Sequence, residues 1–287
     1  MASTSAAPAA KPPPPPIPDL DVALNTARTA AQAAGEYLRS ASSVGRRSVT
    51  LKHGVEVVTD ADLRADAVVK RVIEAQFPDH KIVSEETNAD ASARDIEGPV
   101  WIIDPLDGSV NFAHGHTSVA VSIAFAVDGK VLAGVVHAPF LNQTYTAIQG
   151  QGAFRDGTRL AVAAPASLRE ALVSTGLPHD RRTLDAVVER FRLLAANCRD
   201  VRRSGSPSLD IVSVAAGILD AHTEDLAPWD VAAAGLIATE AGALRTNLGP
   251  QRGALAPDLN GSGYFVAAPS IFQELSKLIA PAYDLAR

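Results

Sequence analysis

The sequence lacks three features, each of which would have indicated a different class of protein. Its single cysteine, Cys198, excludes an internal disulfide and is typical of a reducing cytosol, where a buried, unreactive thiol is expected. No apolar run approaches the ~18 residues that a membrane-spanning helix needs. With 26 basic against 32 acidic side chains, the net charge of −6 offers no basic surface for nucleic acid. We therefore expect a cytoplasmic protein that binds neither a membrane nor nucleic acid.

The first 18 residues also lack what a packed core or a secretory signal requires. They are mostly alanine, serine and proline, with five consecutive prolines at 12–16, which predicts a disordered or polyproline-like tail. A secretory signal would need a basic start and an apolar centre, and neither is present. An organellar transit peptide stays open as an alternative because the tail contains serine and no acid before Asp19, although it also lacks arginine.

The rest of the 287-residue chain can bury a large core, since 47% of all residues are hydrophobic. Apolar periodicity predicts helices at 20–42, 60–77, 183–197, about 207–218, 229–241 and 270–279. It predicts strands at 81–84, 100–104, 118–127, 130–137, 145–147, 153–154 and 264–267. The strands at 118–127 and 130–137 form a hairpin that turns at Asp128-Gly129. This alternation indicates a layered α/β fold.

The most informative segment is 101–112, Trp-Ile-Ile-Asp-Pro-Leu-Asp-Gly-Ser-Val-Asn-Phe. An apolar strand ends in Asp104 and Asp107, which converge only if the chain turns there. Pro105 restricts Asp104 to extended geometry, and Gly108 permits an unusual backbone angle. Two convergent carboxylates attract a hard cation such as Mg²⁺, and backbone N–H groups at the start of a helix attract an anion. The pattern indicates metal-assisted chemistry on a phosphate; an Asp-rich turn without a ligand is the alternative.

Further acids lie at the ends of other predicted elements. Glu85 and Glu86 follow a short strand, Asp60 and Asp62 stand at the start of a helix, and Asp230 opens the helix at 229–241. Each has a simpler explanation, as a solvated loop residue or a helix cap. Their combination is harder to dismiss than any one of them.

These motifs resemble those of the inositol monophosphatase family of Mg²⁺-dependent, lithium-sensitive sugar-phosphate phosphatases. Residues 104–112 match its signature Asp-Pro-(Ile/Leu)-Asp-Gly-Thr-x-Asn-Phe, with Ser109 in place of Thr. Residues 229–242 match Trp-Asp-x-Ala-x-x-x-x-(Ile/Leu)-x-x-Glu-Ala-Gly. The family's Gly-Glu-Glu element appears as 84–86 and its Val-Thr-x-x-Asp element as 58–62. The resemblance spans roughly residues 20–280 in the expected order.

The resemblance implies a five-layer αβαβα sandwich over 19–287, in two tightly joined halves with a boundary near 160. It also implies two or three Mg²⁺ ions in the active site. The first would be bound by Glu85, Asp104 and the Leu106 carbonyl, and the second by Asp104, Asp107 and Asp230. Paired ions ~3.5–4 Å apart activate water and stabilise the leaving oxygen.

Further roles are implied by the same resemblance. Ser109, Asp62 and Glu85 would be catalytic, with Ser109 and Asp62 orienting or deprotonating the attacking water. The Gly108 and Ser109 amides would hold the phosphate, which Asp107 and Asp230 also approach. The reaction would be direct hydrolysis with no phosphorylated residue. Serine at 109 keeps the hydroxyl and loses a methyl group that limits its rotamers, so we expect activity to survive.

Substrate specificity is less well defined. The resemblance assigns substrate hydroxyls to the segment 202–208, including Ser206, and to Glu224. Pro207 stands where relatives usually have Ala, so one backbone N–H is absent. The segment from 224 to Pro228 is one residue shorter than expected. Arg202 and Arg203 could bind phosphate or a partner, but an exposed arginine pair is more often only solvated.

The sequence thus leaves several readings open. The substrate is expected to be inositol 1-phosphate, with histidinol phosphate or another sugar phosphate as the alternative. A catalytically weak regulatory or binding protein is the alternative from another class, and retention of the acidic residues argues against it. By resemblance we also expect a homodimer and inhibition by lithium.

Overall fold

The structure is a computed structural model that describes residues 17–42, 49–52, 56–87, 96–177, 181–249 and 255–285. The proline-rich tail, predicted to be disordered, lies outside the described residues up to position 16. The helices in the described ranges are α1 Leu20–Ser42, α2 Asp60–Gln76, α3 Ser109–His114, α4 Leu184–Asn197, α5 Pro207–Ala215, α6 Pro228–Glu240 and α7 Pro269–Asp284. Single 3₁₀ turns occupy Leu168–Glu170, Arg181–Thr183 and Pro257–Leu259.

The strands form a hairpin and two sheets. They are β1 Val49–Lys52, β2 Glu56–Thr59, β3 Lys81–Ser84, β4 Pro99–Asp107, β5 Ala120–Val127, β6 Lys130–Ala138, β7 Gln143–Ile148, β8 Gly152–Arg155, β9 Thr158–Arg159, β10 Leu172–Thr175, β11 Asp200–Arg202, β12 Ala221–Glu224, β13 Leu244–Asn247 and β14 Tyr264–Ala267. The first sheet has seven strands in the order β3 to β9, and only its β3–β4 pair is parallel. The second sheet has the order β11-β10-β12-β14-β13, with β10 parallel to both its neighbours. β1 and β2 pair antiparallel.

Helices and sheets alternate in five layers, which confirms the predicted layered α/β fold. α1 and α2 share one buried apolar cluster with the first sheet. A second cluster joins the other face of that sheet to α5, α6 and the second sheet. A third joins the second sheet to α4 and α7. Side chains of β14 alternate between the last two clusters, as expected for a strand covered on both faces.

α6 occupies the middle of the molecule. All residues from Val231 to Ala238 are buried, so the helix has no polar face, as expected for one surrounded by protein. It approaches β6 closely at Gly134, where a Cβ atom would lie 3.0 Å from the Ala233 Cα and carbonyl oxygen. This packing fixes the start of α6, and with it Asp230, relative to the first sheet.

Most predicted elements of the first half are confirmed. The strand predicted at 100–104 extends to Asp107, and the hairpin turns at Asp128-Gly129 with both residues at positive φ. In the second half, β10 to β13 were not predicted. Their central members carry buried polar residues, Ser174, Thr175, His222 and Thr223, which interrupt the apolar pattern.

The structure bears on two expectations that were drawn from features the sequence lacks, one about Cys198 and one about membrane-spanning helices. Cys198 is buried, as predicted, and this burial raises the pKa of its thiol to about 11, which favours the protonated form. No helix in the described ranges is both long enough and apolar enough to span a membrane.

Glu240, from the second signature, links α6 to the first sheet. One carboxylate oxygen accepts a hydrogen bond from the Gly150 amide and the other from the Gly152 amide, both at 2.7 Å. A carboxylate in the last turn of a helix opposes the helix dipole. The two amide donors, in the turn after β7 and at the first residue of β8, offset that cost.

We predict that Glu240→Ala lowers the free energy of unfolding by about 2 kcal/mol, because two charge-assisted hydrogen bonds are lost. Urea unfolding followed by circular dichroism measures this change. Glu74→Ala, which removes an exposed glutamate from α2, is the control and should shift stability by no more than ~0.5 kcal/mol. Equal stabilities of the two variants would contradict the assigned link.

Candidate active site and metal centre

The turn predicted after β4 is present. The β4–β5 register shifts between Asp104 and Asp107, around Pro105, which has no N–H to offer the ladder. Gly108 follows with φ 92°, and α3 begins at Ser109. A Cβ atom at Gly108 would lie 2.8 Å from the Ser118 carbonyl oxygen, so glycine is required by both conformation and space. The turn brings the two aspartates together.

Asp104, Asp107 and Asp230 form a carboxylate cluster. One oxygen from each lies within 4.8 Å of the others; Asp104 and Asp107 are buried and Asp230 is half-buried. Asp104 and Asp107 come from the first sheet, whereas Asp230 comes from the first turn of α6. The sequence predicted these three as ligands, and the fold brings them to one point.

Each carboxylate of the cluster is oriented by a backbone amide. Leu106 N donates to Asp104 Oδ1 at 3.0 Å, and Ser208 N donates to Asp107 Oδ2 at 2.9 Å. Ala227 N donates to Asp230 Oδ2 at 2.8 Å, which makes Asp230 a helix cap as well as a cluster member. The acids are therefore held in place by the main chain rather than by each other.

The electrostatics of the cluster call for a cation. Burial raises the pKa of Asp104 well above its ordinary value, and three neighbouring carboxylates raise it further: those of Glu85, Asp107 and Asp230. The largest influences on this pKa are burial and these carboxylates, with one opposing hydrogen bond from the Leu106 amide. Burial also raises the pKa of Asp107, although hydrogen bonds from Ser206 and Ser208 oppose it. Buried carboxylates without basic partners suit a hard divalent cation, which prefers oxygen ligands.

Ser109 and Asp62 lie beside this cluster. The Ser109 hydroxyl is 2.6 Å from Asp62 Oδ1 and 3.0 Å from the Leu106 carbonyl oxygen. The hydroxyl has a single proton to donate. We assign it to the contact with the Asp62 carboxylate, because that contact is shorter and its acceptor is charged. Asp62 is buried at the start of α2, so helix α2 presents it to the turn after β4. The predicted catalytic pair is therefore in contact.

The segment before α5 packs against the same turn. The Ser206 hydroxyl donates to Asp107 Oδ2 at 2.6 Å, and the Ser208 hydroxyl makes a second bond to the same oxygen. Asn111 Nδ2 donates to the Ser204 carbonyl at 2.7 Å, joining α3 to this segment. Pro207 occupies the first position of α5, where an N–H is not needed for helix bonding. The sequence placed Ser206 and Ser208 in a segment assigned to substrate hydroxyls, and it did not predict that both would bond Asp107.

The two neighbouring arginines, Arg202 and Arg203, differ in the charged groups that they affect. Arg202 makes an exposed ion pair with Asp200 at 2.6 Å, which supports the solvated alternative for this residue. Arg203 is exposed too. Burial raises the pKa values of Asp210 and Glu224, and the charge of Arg203 is among the smaller influences that oppose this rise.

Glu224 ends β12 close to the carboxylate cluster. Burial raises its pKa well above the ordinary value, and the charges of Asp230 and Asp210 raise it further. Gly176 leaves the space that the carboxylate fills, since a Cβ atom there would lie 1.5 Å from Glu224 Oε1. The structure thus places this predicted substrate residue on the side of the site formed by the second sheet.

Two residues of this region were missed by sequence reasoning. Asp210, in α5, accepts a hydrogen bond from the Ser204 hydroxyl at 2.7 Å, and burial raises its pKa to about 7. His222 is fully buried in β12, two residues before Glu224. A polar residue within an unrecognised strand was the only available signal for His222.

The fold and the cluster define a layered α/β protein with an acidic candidate metal centre at a strand–helix junction. The model of the inositol monophosphatase family matches residues 19–283, so the chain belongs to this family.

Relatives and solved structures agree with that assignment. Inositol monophosphatase 2 of Solanum lycopersicum is 38% identical over 231 residues, covering 78% of this chain and 85% of the relative. A protein named putative Nus factor SuhB, from Neisseria meningitidis serogroup B, is 35% identical and covers 90% of this chain and 97% of its own. The structure of an IMPase from Thermotoga maritima matches with a TM-score of 0.79 at 31% identity, covering 93% of this chain and 99% of that one. Family membership supports a phosphatase.

We predict that Mg²⁺ stabilises the native protein, because a cation bound there relieves repulsion among the acids. The gain is about 2.7 kcal/mol when free Mg²⁺ is 100 times its Kd. Thermal scans in chelator and in millimolar Mg²⁺ measure it. Asp107→Asn should lose most of the shift, whereas Asp185→Asn, which removes an exposed charge from α4, should keep it. Equal melting temperatures with and without Mg²⁺ in the unmodified protein would contradict a metal site.

Proposed function

We propose that the protein hydrolyses a small phosphomonoester with Mg²⁺, and that inositol 1-phosphate is the first substrate to test. The observation that carries this proposal is the geometry at the end of β4. There the cluster of Asp104, Asp107 and Asp230 adjoins the hydrogen-bonded pair Ser109 and Asp62. The names of the inositol monophosphatase relatives support the choice of substrate.

The donor set suits two or three Mg²⁺ ions. Glu85, Asp104 and the Leu106 carbonyl would hold one ion; Asp104, Asp107 and Asp230 would hold another. Bound Mg²⁺ would lower the pKa of a water molecule and stabilise negative charge on the leaving oxygen. Glu85 directly follows β3, next to Asp104 across the parallel β3–β4 pair, and its amide donates to the Ile103 carbonyl at 3.1 Å.

Ser109 orients the attacking water in this proposal. Asp62 accepts a hydrogen bond from the Ser109 hydroxyl, which leaves a lone pair of Ser109 Oγ to accept a hydrogen bond from water. Asp62 can later take up the proton that the water loses through the same hydroxyl. The water attacks phosphorus directly, the alcohol leaves, and no side chain is phosphorylated.

The substrate itself is bound from two sides. The amides of Gly108 and Ser109, at the start of α3, hold the phosphate, which Asp107 and Asp230 also approach. Ser206 binds the substrate from the position in which its hydroxyl donates to Asp107. Glu224 accepts hydrogen bonds from substrate hydroxyls. Histidinol phosphate and other sugar phosphates carry similar hydroxyl or polar groups, so they stay as alternative substrates.

A regulatory or binding role is the second candidate. It is favoured by the relative named putative Nus factor SuhB, which aligns with 90% of this chain. For the same reason the absence of a nucleic-acid partner stays a prediction. So do the homodimer, the cytoplasmic location and the division of the catalytic domain near residue 160.

Phosphate release with Mg²⁺ tests the proposal on inositol 1-phosphate, histidinol phosphate, fructose 1,6-bisphosphate and adenosine 2′-phosphate. We expect hydrolysis of at least one ester, fastest for inositol 1-phosphate. A parallel series in LiCl, compared with KCl at matched ionic strength, should show inhibition by lithium alone. If none of the esters is hydrolysed while Mg²⁺ still raises the melting temperature, the hypothesis of a regulatory or binding role is favoured over that of a phosphatase.

Ser109→Ala should lower kcat by roughly 10²–10⁴-fold with little change in KM, because the water loses its acceptor while phosphate binding remains. Ser109→Thr keeps the hydroxyl and is the matched control, with activity close to that of the unmodified protein. Steady-state phosphate release measures both variants. Near-native turnover by the alanine variant would remove Ser109 from the mechanism.

A further inference from the structure

His222 is a buried imidazole between two carboxyl groups. Its Nε2 lies 3.5 Å from Glu224 Oε2, and its Nδ1 lies 3.7 Å from Asp210 Oδ2. Nδ1 is also 2.9 Å from the Ser174 hydroxyl of the adjacent strand β10. The side chain has no exposed surface. A polar ring in this position needs a reason, because burying it costs free energy unless its nitrogens are bonded.

The contacts of the His222 ring indicate which of its two nitrogens carries the proton. The Ser174 hydroxyl is closer to Nδ1 than to its other acceptor, the Ala221 carbonyl at 3.5 Å. We assign this hydroxyl as the donor to Nδ1, an assignment that leaves the imidazole proton on Nε2. Among the described residues Nε2 has no hydrogen-bond partner, and the nearest acidic oxygen is that of Glu224.

The surroundings keep this imidazole neutral and fixed. Burial lowers the pKa of His222 to about 3, and the charge of Arg190 from α4 lowers it further. Arg190 is itself buried, with its guanidinium 4.7 Å above the Tyr283 ring of α7. The Tyr283 hydroxyl bonds Thr223 at 2.7 Å, between His222 and Glu224 in the chain. Asp210 of α5 and Ser174 of β10 therefore lie beside the imidazole, whereas Arg190 and Tyr283 lie on the Thr223 face of β12.

We propose that His222 is a positioning residue that holds Glu224 for substrate hydroxyls. Its Nε2, which has no hydrogen-bond partner in the described ranges, lies 3.5 Å from one oxygen of Glu224, while the space left by Gly176 receives the other. Held in this way, the carboxylate presents a fixed acceptor to a hydroxylated substrate. His222 therefore selects phosphomonoesters that carry hydroxyl groups, and it has no contact with the phosphate. This inference rests on the proposed phosphatase function.

Two amide substitutions test the role of Nε2. In His222→Gln the side-chain amide reaches about as far as Nε2, whereas in His222→Asn it reaches only as far as Nδ1. Both place an amide in the same buried site, so their folding costs are matched. Kinetics are measured with inositol 1-phosphate and with phenyl phosphate, which has no hydroxyl group. Thermal unfolding of each variant, and of His137→Asn in the first sheet, checks the fold; His137→Asn should keep the substrate preference.

We expect His222→Asn to raise KM for inositol 1-phosphate about tenfold, because Glu224 loses the polar N–H beside the carboxylate that binds the substrate. Its kcat, and both constants for phenyl phosphate, should stay near those of the unmodified protein, and His222→Gln should restore the preference. Equal behaviour of the Asn and Gln variants, or equal losses on both substrates, would overturn the proposal.

Glu224→Gln keeps the test valid if His222→Asn does not fold. It should cause the same selective rise in KM, because the histidine acts through this carboxylate. No selective change in that variant would also refute the inference. If the unmodified protein hydrolyses neither substrate, the proposed function fails and this role fails with it. If it hydrolyses both equally well, the phosphatase stands and only the role of His222 is wrong.

Discussion

The constraint on which the site depends is the repulsion among Asp104, Asp107 and Asp230 in a region with little water. Burial and neighbouring carboxylates raise the pKa of Asp104, so the ionised cluster opposes folding unless something compensates. Backbone amides and two serine hydroxyls supply part of that compensation, because they hold one oxygen of each acid. A divalent cation would supply the rest. The proposed metal dependence is thus a direct consequence of where these carboxylates are held.

The layers decide what meets at this point. The first sheet contributes Asp104 and Asp107, α6 contributes Asp230, and the second sheet contributes Glu224. Because α6 is packed on every side, its first turn cannot shift without disturbing both sheets. The proposed chemistry of phosphate and metal therefore lies mainly on the first sheet and α6. The proposed recognition of substrate hydroxyls lies on the second sheet, where His222 stands between Glu224 and Asp210 of α5.

Prediction succeeded where the signal was local. The turn after β4 could be predicted because Pro105 and Gly108 restrict the backbone in known ways, and the structure has both the bulge and the positive φ. Asp230 was predicted at a helix start and caps α6. Prediction failed for β10 to β13, which are short and partly polar. Asp210, and the bonds from Ser208 to Asp107, were not predicted for another reason: both residues lie in a predicted helix, and nothing in its periodicity shows that its first turn faces Asp107.

By itself, the sequence determined most elements of the first half apart from β1 and β2, the turn that joins two aspartates, and the motifs that identify the family. These follow from backbone restriction and residue spacing, which act over a few positions. Only the tertiary structure decided that Asp62 meets Ser109, that Ser208 holds Asp107, and that His222 stands between Asp210 and Glu224. All of these contacts except the one between His222 and Glu224 join residues that are far apart in the chain and lie on different elements. They form because buried polar groups must find partners among whatever the packed layers bring within reach.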